Sequence, residues 1–378
     1  MNKVIHGNSL EILKTLVNES VDCIITSPPY YQLRRYAGIP DYIWDGNENC
    51  EHEFELHKTN LMHENRNNIT GSQETAIESN SGTVHIRKYN DYKTGFCSKC
   101  DAWKGQLGLE PTYQLYLNHL WQIFDECYRV LKDDGTLWVN LGDTYSTQGG
   151  QNRGKSYKNY EYSEDVKNVE LGTELLKGNQ GMPSKCLMMI PHRFAIGMID
   201  RNWILRNDII WAKRNGMPES VTDRFSKKHE FIFFFVKNQK YYFNLDGVRD
   251  THLFECPKRT KGKKMMDLGY SEKWNIATGG NNPKGKNPGD VSDFWDIPTK
   301  PSSVKHYATF NNELITKPII AGCPEGGIVL DPFAGSGTTL LTALSLNRDA
   351  IGIEGSEEYC KIANDRINEH LGLFKEAI

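Results

Sequence analysis

Two short runs carry residues whose types and spacing could do chemistry. The first, Thr26-Ser27-Pro28-Pro29-Tyr30, directly follows the apolar run Val21 to Ile25. Its two prolines hold the chain extended and remove two backbone donors. What remains is a set of outward-facing acceptors beside an aromatic ring, which suits a flat base bearing an exocyclic amine. Such an amine is a poor nucleophile because its lone pair is delocalised into the ring. The Ser27 hydroxyl and the Pro28 carbonyl can accept its two hydrogens, so that the nitrogen becomes more tetrahedral and its lone pair is freed, while Tyr30 stacks on the base. Alone, the run reads equally well as a proline-rich turn with an incidental tyrosine.

The second run, Asp331-Pro332-Phe333-Ala334-Gly335-Ser336-Gly337-Thr338-Thr339, follows a strand pattern and opens a helix pattern. Glycines at such a turn let the backbone approach a ligand, and the helix N-terminus can accept a carboxylate. Glu354 ends the next strand, at the spacing that holds a ribose. A dinucleotide-binding turn, or a plain tight turn, has the same outline.

Together the two runs are far more specific. Ser27-Pro28-Pro29-Tyr30 near the N-terminus, with Asp331-Pro332-Phe333-Ala334-Gly335-Ser336-Gly337-Thr338 near the C-terminus, resembles the β-group of DNA amino-methyltransferases, which place the catalytic motif before the cofactor motif. The resemblance extends to His6-Gly7-Asn8-Ser9, the run Gly135 to Asp143, Asn287-Pro288-Gly289-Asp290-Val291 and His306-Tyr307-Ala308-Thr309-Phe310. It covers most of the chain outside residues 53–96.

The resemblance implies an α/β, Rossmann-like fold with a mostly parallel sheet closed by an antiparallel hairpin. It implies S-adenosylmethionine as cofactor and double-stranded DNA as substrate, with the target base flipped out. By position, Ser27, Pro28, Pro29 and Tyr30 would be catalytic. Asp331, Phe333, Gly335, Gly337 and Glu354 would hold the cofactor, and His306, Thr309 and Phe310 would close over its methionine end. Asn8 stands where the family often has aspartate, at the adenine contact. At Ser27 the family's adenine enzymes usually carry Asp or Asn, and Ser is commoner in cytosine-N4 enzymes. The expected product is therefore N4-methylcytosine, with N6-methyladenine as the alternative. An RNA methyltransferase and an inactive DNA-binding module are competing readings. Protein-glutamine methyltransferases share a Pro-Pro-Tyr turn, but their cofactor motif comes first. A cognate restriction endonuclease is an implied partner, and the oligomeric state is left open.

The elements that position these runs follow from periodicity. Leu117, Leu120, Ile123, Phe124, Cys127, Val130 and Leu131 make the apolar stripe of an amphipathic helix over Tyr113 to Leu131. Asp133-Asp134-Gly135 reads as a turn into the strand Thr136 to Leu141. A helix is expected over Arg193 to Arg201, then strands over Leu205 to Lys213 and Phe231 to Val236. Near the C-terminus Ile328 to Leu330 and Ala350 to Ile353 read as buried strands flanking a helix over Thr338 to Leu346. That rhythm means βαβ units and a mostly parallel sheet. Two stretches break it: the polar, Asn-rich residues 53–96, and the Gly-, Pro- and Lys-rich residues 246–298. The expected organisation is a catalytic half over 1–49 and 97–245, an insertion over 50–100, a target-recognition region over 246–300 and a cofactor-binding half over 301–378.

A 38% hydrophobic, 25% charged composition belongs to an ordinary globular chain and argues against disorder. No apolar run reaches the roughly 18–20 residues of a membrane span and no signal peptide is visible, so a cytoplasmic protein without membrane contact is expected. With a formal net charge of -3, any DNA-binding face must come from local clustering. Lys258, Arg259, Lys261, Lys263 and Lys264 form such a cluster, and Arg34 and Arg35 follow the catalytic run. A solvated loop is the bland reading of the lysine-rich segment. Nine cysteines in a chain of 378 residues do not make a disulfide scaffold. Cys23, Cys127, Cys186, Cys323 and Cys360 read as small buried hydrophobes. Cys50, His52, Cys97 and Cys100 have the spacing of a structural zinc site that would pin the polar insertion, against free thiols as the alternative.

Overall fold

The run Val21-Asp22-Cys23-Ile24-Ile25-Thr26 is buried at every position and forms β2 (Val21–Thr26). A strand buried on both faces must lie inside a sheet covered on both sides. The computed structural model describes residues 2–36, 38–54, 74–78, 84–88, 95–146, 182–216, 219–249, 292–299 and 311–375. In it β2 lies within an eight-stranded sheet with β1 (Lys3–His6), β8 (Leu131–Leu141), β9 (Ile204–Ala212), β10 (His229–Val236), β11 (Phe294–Asp296), β12 (Ile328–Asp331) and β13 (Asp349–Glu354). The order is β1-β13-β12-β2-β8-β10-β9-β11. The first five strands are parallel, and β10 runs antiparallel to both β8 and β9. This is the expected α/β architecture with its antiparallel hairpin.

Both faces are covered. α1 (Ser9–Thr15), α2 (Tyr113–Val130) and α3 (Ile190–Ile199) contribute to one core, and α5 (Asn312–Gly322), α6 (Thr338–Ser345) and α7 (Glu357–Lys375) to the other. A short α4 (Leu245–Val248) leans on α5. The whole predicted stripe of α2, with Leu131 beyond it, is buried. Each such side chain contributes about 1.5–3 kcal/mol relative to exposure. Along β10, Phe233 and Phe235 enter the first core while Ile232, Phe234 and Val236 enter the second, the period of two that a strand requires. Trp138 and Phe234 stack across the β8–β10 pair with ring centroids 4.0 Å apart.

Three expectations need correction. Asp133-Asp134-Gly135 is not a turn before the strand, because β8 already starts at Leu131. Val21 pairs with Leu131 and Cys23 with Thr136, so these residues form an irregular outward excursion of the strand. The Lys237 ammonium fastens it, reaching the Leu131 carbonyl at 2.9 Å and the Asp133 carboxylate at 3.1 Å. α3 begins three residues earlier than expected, since Pro191 suits the first helical turn and the Asp143 carboxylate caps the Ile190 N–H at 3.0 Å. Cys186 is exposed, whereas Cys23, Cys127, Cys323 and Cys360 are buried as expected.

Residues 42–105 contain structure that periodicity did not reveal. β3 (Tyr42–Trp44), β6 (Gly95–Phe96) and β7 (Trp103–Gly105) form a small antiparallel sheet, and β4 (Glu74–Glu78) pairs with β5 (Val84–Lys88).

Candidate active site

The carboxyl ends of β2, β12 and β13 open into one cavity of about 460 Å³. Ligands of open α/β sheets bind in this crevice. Ser27, Pro28, Pro29 and Tyr30 line it together with Phe333, Gly335 and Glu354, although the two groups lie at opposite ends of the chain. Parallel pairing of β2 with β12 brings them together. The Thr26 hydroxyl donates to Asp331 Oδ1 at 2.7 Å and the Thr339 hydroxyl to Asp331 Oδ2 at 2.6 Å, so one carboxylate ties both turns.

Asp331 was expected to touch the cofactor. The structure places it behind the cavity wall, 1% exposed, with the Phe333 N–H also bonded to Oδ1 at 3.0 Å. Burial pushes its carboxyl above the ordinary range, against the pull of those bonds. Gly337 also stands outside the lining. Its φ of 80° and a gap that would put a Cβ 3.0 Å from Ala363 Cβ explain the glycine: α6 starts here, close against α7. Gly335 faces the cavity, and its N–H donates to Glu354 Oε2 at 2.8 Å. Ser356 N–H donates to Oε1 at 2.8 Å. These bonds orient the Glu354 carboxylate and leave each oxygen a lone pair. Burial raises its pKa and the backbone donors oppose the rise. Asn8 lines the cavity and caps α1, accepting from Leu10 N–H at 2.8 Å. Its carbonyl is committed to the helix, which an aspartate could cap equally well.

On the catalytic side, the Tyr116 hydroxyl donates to the Pro29 carbonyl at 2.7 Å. Among the described residues no donor reaches the Pro28 carbonyl, which is free to accept. Ser27 Oγ lies 3.4 Å from the Tyr30 hydroxyl and 3.5 Å from Asn140 Oδ1, too far to be firmly committed. The Tyr30 ring rests on Gly142, where a Cβ would come 2.5 Å from Cε2. The Tyr30 hydroxyl lies 3.0 Å from both Asn140 Oδ1 and Glu230 Oε2, and Lys213 pairs with Glu230. Burial and the Glu230 charge push the Tyr30 phenol well above its ordinary pKa, so it stays a donor.

Asn140, Glu230 and Lys213 line the cavity and had been assigned no role. Their signal was topological. An antiparallel β10 must begin where its parallel neighbours end, so its first residues face the carboxyl edge. Arg34 lines the cavity, while Arg35 is held by Asp41 at 2.8 Å. His306, Thr309, Phe310 and the cluster Lys258, Arg259, Lys261, Lys263 and Lys264 lie outside the described residues.

A family model described as DNA methylase matches residues 21–365. The chain belongs to the DNA methylase family. Over 362 residues it is 32% identical to the Type II methyltransferase M.Cfr9I of Citrobacter freundii, covering 96% of this chain and 86% of that protein. It is 30% identical to M.SmaI of Serratia marcescens, covering 97% and 90%. The fold matches the structure of the PvuII DNA methyltransferase (cytosine-N4-specific) with a TM-score of 0.52 and 15% identity, covering 98% and 91%. This DNA methylase is thus an S-adenosylmethionine-dependent amino-methyltransferase. Its cavity fits that cofactor's chemistry. Glu354 would present a carboxylate to ribose hydroxyls, the N-terminus of α6 would present backbone N–H groups to a carboxylate, and Phe333 and Tyr36 line the cavity with apolar surface. Among the described residues of this methylase no helix is long and apolar enough to cross a membrane.

Proposed function

We propose that the chain methylates the N4 amine of a cytosine flipped out of double-stranded DNA. The observation that carries this reading is the single cavity shared by the Ser27-to-Tyr30 turn and the Gly335–Glu354 cradle. The bound cofactor would supply an electrophilic methyl group on a sulfonium, whose sulfur leaves as a neutral thioether as the N–CH3 bond forms, and the surplus proton on nitrogen would pass to solvent. The protein's part is orientation. The uncommitted Ser27 hydroxyl and the Pro28 carbonyl accept the two amine hydrogens and direct the nitrogen lone pair toward the methyl group. Tyr30, pinned through its hydroxyl and supported by Gly142, offers its ring to the base.

Serine at position 27 favours cytosine over adenine, because the family's adenine enzymes usually carry Asp or Asn there. Adenine N6 is the second reading. Digesting DNA methylated by the purified chain to nucleosides and identifying the product by mass spectrometry decides between them: N4-methylcytosine is expected, and N6-methyladenine overturns the assignment. The Type II relatives support a role as the modification partner of a restriction endonuclease. Residues 246–300 are the target-recognition region in this reading. Their described end, β11, is tied to β9 at the sheet edge.

A further inference from the structure

Outside the cavity, four soft ligands converge. Cys50 and His52 leave the small sheet after β3, and Cys97 and Cys100 lie in the turn between β6 and β7. Their ligand atoms all lie within 4.8 Å of one another. Cys50 Sγ is 3.9 Å from Cys97 Sγ, and Cys100 Sγ is 3.3 Å from His52 Nδ1. A tetrahedron with Zn–S of about 2.3 Å and Zn–N of about 2.0–2.1 Å has S–S edges of about 3.8 Å and S–N edges of about 3.6 Å. The S–S separation of 3.9 Å is close to its edge and the S–N separation of 3.3 Å is a little short of its own, with no pair beyond 4.8 Å, and the Cys50 and Cys97 sulfurs stand far outside the roughly 2.05 Å of a disulfide.

We propose that Cys50, His52, Cys97 and Cys100 bind one structural zinc ion, and that this ion positions the catalytic turn. The backbone is shaped for a metal. Within the Cys97-to-Cys100 turn the Lys99 N–H donates to Cys97 Sγ at 3.4 Å and the Asp101 N–H to the Cys97 carbonyl at 3.0 Å. Ser98 N–H reaches the Glu53 carbonyl at 3.0 Å, joining the two ligand pairs. At Gly46, a Cβ would meet Ala102 Cβ at 2.5 Å and Cys100 Sγ at 3.0 Å, with φ at 80°. Only glycine lets the turn after β3 lie this close to the ligands. A Cys₃His set fills all four tetrahedral positions, the mark of a structural rather than a catalytic ion.

The link to the Ser27–Tyr30 turn is a line of polar groups that is buried at its centre and exposed at its two ends. Asp45, beside Gly46, lies 3.0 Å from His119 Nε2, and His119 Nδ1 lies 2.9 Å from Glu110 Oε1. His119 and Glu110 are fully buried. Glu110 Oε2 accepts the Gly108 N–H at 2.7 Å, and the Gly108 carbonyl accepts the Gln32 N–H at 2.6 Å, two residues past Tyr30. Trp44 and Trp103 stack on the His119 ring with centroids at 4.7 and 5.5 Å. A metal that locks Gly46 against Ala102 therefore also locks Asp45, and with it the line that reaches Gln32.

The test uses the full chain purified without added metal or chelator. Elemental analysis should find about one zinc per chain, and His52→Cys should keep it while a Cys97→Ser/Cys100→Ser pair loses it. Cys186→Ser, outside the cluster, should change nothing. Zinc absent from the parental protein even after reconstitution under reducing conditions, or zinc unchanged in the paired variant, would each overturn the site. Hydrogen exchange of the parental protein before and after metal stripping tests the positioning role without relying on soluble variants. Exchange should quicken several-fold at residues 42–46, 95–110 and 27–33 and stay unchanged at 331–345. Unchanged exchange at 27–33 would overturn the positioning role. Neither measurement depends on which base is methylated.

Discussion

Tyr30 does two jobs in the proposed reaction, and two substitutions separate them. Phenylalanine keeps the ring and removes the hydroxyl, which lies 3.0 Å from Asn140 Oδ1 and from Glu230 Oε2. Glu230 keeps its pairing with Lys213, and Asn140 still donates to the Phe231 carbonyl at 3.1 Å. The loss is thus one hydrogen bond to a charged acceptor, about 1.5–3 kcal/mol, felt chiefly as stability. Alanine also removes the ring that faces the cavity. Base–aromatic stacking is worth about 1–3 kcal/mol. At about 1.4 kcal/mol per decade this is a rate loss of roughly 5- to 150-fold beyond that of the phenylalanine variant. The assay is single-turnover transfer of labelled methyl groups to DNA at saturating cofactor and DNA, with cofactor affinity measured separately by calorimetry. Tyr30→Ala transferring at the parental rate would refute the stacking role. Tyr30→Phe falling as far as Tyr30→Ala would show that the hydroxyl, not the ring, is what matters.

Ser27→Ala should slow the same single turnover while leaving cofactor affinity nearly intact, because Ser27 faces the base and Glu354 the cofactor; a parental rate removes Ser27 from the mechanism. Glu354→Ala should weaken S-adenosylmethionine binding by about 1.5–3 kcal/mol in calorimetry. In the proposed site the ionised Glu354 would be the ribose acceptor, and burial raises its pKa, so affinity should be full at higher pH and fall as pH drops through that raised value, earlier than for an ordinary glutamate. Gly142→Ala places a Cβ 2.5 Å from the Tyr30 ring and should impair methyl transfer more than cofactor binding; equal loss of both, or of neither, counts against the packed position of Tyr30. Neutralising Lys258, Arg259, Lys261, Lys263 and Lys264 together should weaken DNA binding and flatten its dependence on salt; an unchanged slope means that these residues do not meet phosphates.

The parts of the molecule that were legible in the sequence are those with a strong period or a rigid turn. The stripe on α2 follows from spacing alone, and the apolar run of β10 marks it as a strand. The two chemical turns are legible because proline and glycine restrict or free the backbone in ways few other residues do. Asp331 shows where that reading stops. Its place in a ligand-binding turn suggested a ligand contact, yet Thr26, far away in the chain, and Thr339 occupy its oxygens. No local pattern announces such a long-range bond. The small sheet of β3, β6 and β7 was invisible for another reason: strands of two or three residues carry too little pattern to register, and the β3–β7 pairing joins residues 42–44 to residues 103–105. Cys97-x-x-Cys100 was readable as a ligand pair, but Gly46, whose missing side chain lets the other half approach, was not.

The topology explains why the proposed catalytic run at one end of the chain and the proposed cofactor run at the other line one cavity. β12 pairs with β2 on one edge and β13 on the other, and β13 in turn pairs with β1. The two C-terminal strands thus lie side by side with an N-terminal strand on each flank, across half of the sheet. All of them are parallel, so their carboxyl ends, and the turns that follow, crowd into one crevice whatever their order in the sequence. The Thr26–Asp331 hydrogen bond closes the seam between the two turns below the cavity floor. Asp331 therefore holds the two turns in register, and the residues that line the cavity are its neighbours: Phe333 and Gly335 on its own turn, and Ser27 next to Thr26 across the seam.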